Sequence, residues 1–169
     1  MKHFAPYSIG MLVLTATITS AQTTAPAPSP AASFALCAAC HGPDGKGIAA
    51  GAAGLMAPPF VGSKLIIAGD GELAASIVFT GIAKTDTKFL GMMTPLGPVM
   101  KDEDLAAVLT HIRSNFGNTA SAVTAAQVKT WREKYNGKPM QKRADLEKLA
   151  AEQAAAATKA AGEKAASKP

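Results

Sequence analysis

Cys37-Ala38-Ala39-Cys40-His41 is the stretch on which the reading of this chain turns. Its two cysteines are the only ones in 169 residues. Three residues apart on one helical turn, both thiols face the same way, and the next residue adds an imidazole. C-x-x-C-H is the attachment sequence for c-type haem. The thiols can reach the two vinyl groups on one porphyrin edge, and the imidazole then lies under the iron. Other chemistries fit less well. A thioredoxin-like pair needs a βαβ context, which is absent. A structural zinc site needs four ligands, and beyond the first residues only these cysteines, His41 and His111 remain. An iron–sulfur cluster wants about four cysteines. A disulfide across two helical residues is strained.

Outward from the motif, the chain reads as helices joined by long loops. A short helix over Phe34–Cys40 carries the cysteines. A second is expected from Glu72 to Thr80, with Asp70 as a cap, Gly81 as a stop, and Leu73 and Ile77, with Val78, on its buried face. Leu105, Val108, Leu109, Ile112 and Phe116 form an amphipathic stripe. Asp102, Glu103 and Asp104 open that helix, where acidic groups complement its dipole and Asp102 can cap. Arg113 lies near the other end and Gly117 follows. The connecting segments, Gly42–Gly54, Pro58-Pro59 and Met92–Pro98, are rich in Gly and Pro. No strand pair and no repeat is visible. The fold class is all-α, with long loops that need something to pack on.

The organisation divides into five regions. Residues 1–21 read as an export signal: Lys2 and His3, an apolar run from Ile9 to Ile18, and small residues before a cut after Ala21. A retained anchor is the alternative, but the run is shorter than the roughly 20 apolar residues of a spanning helix. Residues 22–32 form a Pro/Ala-rich linker, extended and solvated. Residues 33–118 hold all the chemistry. Residues 119–135 form an appended amphipathic helix, started by a Thr124/Gln127 capping box and a Val123–Val128 staple, with Val128, Trp131 and Tyr135 on one face. Residues 136–169 are a Lys/Ala-rich tail, helical or disordered, too poor in large apolar side chains to build a core.

Composition agrees. The 48% hydrophobic content is largely alanine, with six Phe, two Tyr and one Trp. Such a chain gains from a cofactor to fold on. The charge is uneven: six Lys/Arg against seven Asp/Glu in 33–118, then ten against five from Thr119 onward. The basic balance belongs to the tail. No aromatic-interleaved basic patch or zinc-finger spacing points to nucleic acid, and no later segment is suited to stable membrane insertion.

An iron held by His41 needs a sixth ligand or an open site. Met56, Met92, Met93 and Met100 lie downstream. Met92 and Met93 sit in the loop Gly91-Met92-Met93-Thr94-Pro95-Leu96-Gly97-Pro98, which can lay a thioether opposite His41. Met100 reads as packing, and Met56 as pocket lining.

Phe34-x-x-Cys37-x-x-Cys40-His41-Gly42-x-Asp44-Gly45-x-Gly47 resembles the opening of class I c-type cytochromes. Met93-Thr94-Pro95-Leu96-Gly97, then Lys101 to Arg113 and Phe116-Gly117-Asn118, resembles their closing half. The resemblance covers about Ser33 to Asn118. It implies a cytochrome c-like fold of about three main helices, with long loops wrapped around one covalent haem c and its iron. It implies His41 as proximal and Met93 as distal ligand, with Met92 as the alternative. It also implies a bond from His41 to the carbonyl of Pro58 or Pro59, and a crossing of the Phe34 helix with the last helix. Three positions depart from the family pattern: Thr94 where Pro is common, Lys101 where Ser or Thr often caps, and His111 where an aromatic residue is usual. His111 is expected to pack at the helix contact rather than bind iron.

The resemblance implies a periplasmic, bacterial carrier of single electrons by Fe(III)/Fe(II) cycling, not itself an enzyme. Its partners would be redox proteins, a periplasmic dehydrogenase or a membrane respiratory complex. Two alternatives stay open. One is the cytochrome subunit of a sugar or alcohol dehydrogenase. The other is a sensor or peroxidase-like protein with a vacant sixth site.

Overall fold

A computed structural model describes residues 29–85 and 89–166. The expected export signal and linker residues 22–28 lie outside the described residues. Those described form six α-helices and no extended sheet: α1 (Pro30–His41), α2 (Lys64–Ile67), α3 (Glu72–Thr80), α4 (Asp102–Ser114), α5 (Ala125–Tyr135) and α6 (Arg143–Ala166). The fold is all-α, as the periodicity predicts.

Helix α1 starts earlier than expected and takes Pro30 to Ala32 from the linker. Ser29 caps it, accepting from the Ala32 N–H at 3.3 Å, and Pro30 stands at the first helical position. Proline there gives up a donor that has no intrahelical acceptor anyway, so alternating prolines do not bar a helix start.

Helices α1 and α4 cross at an aromatic contact. The Phe34 ring lies 5.1 Å from His111 and 5.4 Å from Phe116. His111 thus packs at the helix crossing. Phe116 holds a left-handed backbone, φ 55°, costly for a bulky residue. Its ring covers Gly45, where an added Cβ would stand 2.8 Å from it. The glycine of the motif loop therefore makes room for the helix contact.

Two charged residues of α4 do more than expected. Asp102 does not cap: Lys101 holds the cap position without a side-chain bond. The Asp102 carboxylate accepts instead from Arg132 Nε of α5 at 2.7 Å, while the same guanidinium donates to the Gly97 and Met100 carbonyls. Arg113 is completely buried. It donates to the carbonyls of Ile66, Ala68, Gly69 and Ser121, tying the α2–α3 turn and the segment after α4 to one side chain. Burial lowers its pKa from the ordinary value, and Asp70 opposes that shift.

Helix α3 is buried from Leu73 to Thr80 on every face. On one side lies the main core, with Phe79, Leu105, Leu109, Val128 and Trp131. Here α5 docks, started by the Thr124/Gln127 capping box. On the other side lies a second cluster of Ala68, Leu73, Ile77, Ile82, Leu146 and Ala150. Leu146 and Ala150 belong to the tail, which is too poor in large apolar side chains to build a core of its own and adds these two to the face of α3. Two apolar residues one helical turn apart suffice where α3 offers a preformed surface. Beyond Gln153, the described side chains of α6 are exposed. No helix among the described residues is long and apolar enough to cross a membrane.

Candidate functional site

His41 ends α1, and the chain turns away at Gly42. Its Nδ1 lies 3.2 Å from the Pro58 carbonyl. A carbonyl only accepts, so Nδ1 carries the proton and Nε2 keeps a free lone pair. The ring stacks on Phe60, with centroids 4.1 Å apart and 16° between planes. Phe60 is anchored in turn: its carbonyl accepts from the buried Asn118 amide at 3.0 Å. Burial lowers the His41 pKa, with the Pro58 bond opposing. The imidazole is thus neutral, oriented and available as a ligand.

Beside it, Cys37 and Cys40 are free thiols. Burial, reinforced by Cys40 alongside, pushes the Cys37 thiol up to about 11. A nucleophilic redox pair needs the opposite, a lowered thiol pKa. Among the described residues no group of three or more His, Cys, Asp or Glu is arranged to hold a metal ion.

These residues face a cavity of about 370 Å³, within the range of small-molecule and cofactor sites. Its walls are almost wholly apolar, with Ile66, Val78, Val108 and Leu96 among them. Met92 and Met93 also line it. They differ in their surroundings. Met92 is 46% exposed, whereas Met93 packs against both core clusters. The Met93 main chain exchanges two bonds with Ile82, N–H to O at 2.9 and 3.1 Å. Gly81 allows the close approach: its φ is +73°, and an added Cβ would meet the Met93 carbonyl at 2.4 Å. Met56 lines the cavity as expected, while His111 does not.

The expected site residues therefore come together on one cavity. Sequence reasoning missed a charged lining residue, Arg143, at the start of α6. Nothing local in the Lys/Ala-rich tail marks it out.

The donor set suits a large flat apolar group bearing a metal. It offers a neutral imidazole with its second nitrogen engaged, a soft thioether, two thiols and an apolar wall. The family model described as Cytochrome c matches residues 31–116, half of the 169-residue chain. No curated protein matches the sequence.

Proposed function

The chain belongs to the cytochrome c family, and on that premise we propose that it is an exported, periplasmic monohaem carrier of single electrons. In this reading Cys37 and Cys40 would hold the haem covalently, and His41 and Met93 would ligate its iron. When bound, the haem supplies an iron that cycles between Fe(III) and Fe(II).

The observation that carries the reading is the His41 imidazole, held by Pro58 and Phe60, on the same apolar cavity as Met93. His41 keeps its orientation because Nδ1 is engaged. The Met93 main chain is held at Ile82, so its side chain departs from a fixed backbone. Two iron ligands supplied by held segments would limit reorganisation on electron transfer. A thioether and a dry pocket both favour the reduced state. Leu36, Leu90 and Met92 line the cavity and are also exposed, which makes an apolar mouth suited to a small, transient interface with a redox partner.

The test is the visible spectrum of the exported protein, oxidised and reduced, with and without carbon monoxide. Covalent haem, a far-red sulfur-to-iron band when oxidised and no carbon monoxide shift are expected. A carbon monoxide shift at neutral pH would move the assignment to sensing or catalysis. Absence of covalent haem from a host able to attach it would overturn it.

A further inference from the structure

Building on the haem reading above, we propose that Arg143, in the C-terminal extension, binds the carboxylate side chains of the cofactor. The matched family segment ends at residue 116, so this residue lies outside it.

Among the described residues lining the cavity, Arg143 is the only Asp, Glu, Lys or Arg. Its Nε is buried without a hydrogen-bond partner, the one such side-chain nitrogen or oxygen among the described residues. No described carboxylate forms an ion pair with it. The guanidinium lies over the Phe89 ring, 5.8 Å from its centroid, a cation–π contact that orients it without satisfying its donors. It also stands at the first residue of α6, where a positive charge opposes the helix dipole. A part-buried cation in this position is costly unless an anion meets it.

The position is rigidly held. Two residues earlier, Gln141 pairs with the main chain of Gly81 and Ala83, and its amide donates to Thr80 and Ser76. Three residues later, Leu146 is fully buried. The extension thus fixes one guanidinium on an otherwise apolar wall. Haem carries two carboxylates, and a planar guanidinium binds a carboxylate through paired N–H bonds. In a dry site that pairing keeps the carboxylate ionised.

The test is the midpoint potential of the haem-loaded protein as a function of pH. The wild type should be flat between roughly pH 5 and 8, the range in which a weakly held buried carboxylate titrates. Arg143→Gln should acquire a slope there, and its potential should fall at neutral pH because a positive charge near the iron is gone. Profiles that superimpose would overturn the inference while leaving the haem reading intact. Wild-type protein without covalent haem would remove both. Should Arg143→Gln not accumulate, an experimental structure of the wild-type haem protein decides. A haem carboxylate about 3 Å from the guanidinium is expected; both carboxylates out of its reach would overturn the proposal.

Discussion

Met93 and Ile82 exchange two main-chain hydrogen bonds, and Ile82 also bridges to Gln141 of the C-terminal extension. The Met93 loop is therefore one edge of a small three-segment ladder, and the extension is another. Met93 owes its place to residues on both sides of it in sequence.

Ligand choice between the neighbouring methionines follows from this arrangement. Met93→Ala should abolish the far-red band and open the iron to carbon monoxide. Met92→Ala should leave both properties as in the wild type, because Met92 is half exposed. The reverse outcome in optical titrations would assign the ligand to Met92.

Leu146 supports the same ladder from beneath. It is fully buried in the cluster that also contains Ile82 and touches Met93. Leu146→Ala should cost about 2–5 kcal/mol in urea unfolding of the haem-loaded protein, and should raise its carbon monoxide binding. A midpoint unchanged from wild type would show that α6 is not part of the folded core.

Arg113 closes four backbone carbonyls from three segments. Arg113→Met would orphan them, at ~1–3 kcal/mol for each buried group left unpaired. Arg113→Lys should recover little, since a point-like ammonium cannot reproduce the planar fork. Denaturant unfolding checks both variants, and near-wild-type stability of the Met variant would contradict the account.

Acid sensitivity has an identifiable contributor in Glu72. Its carboxylate accepts from Lys134 Nζ at 2.6 Å and from Tyr135 Oη at 2.8 Å. The Lys134 bond foremost, with Tyr135, lowers its pKa below the ordinary 4.5. A depressed carboxylate stabilises the fold above its unfolded pKa, and that contribution is lost as pH falls through the folded value. The stability difference between wild type and Glu72→Gln should be constant above about pH 5 and shrink below 4.5. A difference independent of pH down to 3 would rule out this linkage.

Much of the site is legible locally. Cys37, Cys40 and His41 lie within five consecutive residues, so one helical turn settles their mutual placement before any tertiary contact forms. The Thr124/Gln127 capping box and the α4 stripe are local in the same sense, because both follow from helical spacing alone. Pro30 misleads for a local reason too: the same residue suits an extended linker and a helix start.

Only the tertiary structure decides which loop methionine is packed and which is exposed. That depends on Ile82 and on the closeness Gly81 permits, and no periodicity encodes a main-chain pairing between distant loops. It turns Asp102 toward Arg132 rather than its own helix end, and Arg113 inward rather than toward solvent. It also recruits Leu146, Ala150 and Arg143 from a tail whose composition reads as solvated. The sequence alone determined the helical class and the Cys37/Cys40/His41 motif, because those follow from spacing within a turn. The far wall of the cavity, and the cation set into it, come from segments that meet only after the chain has closed on itself.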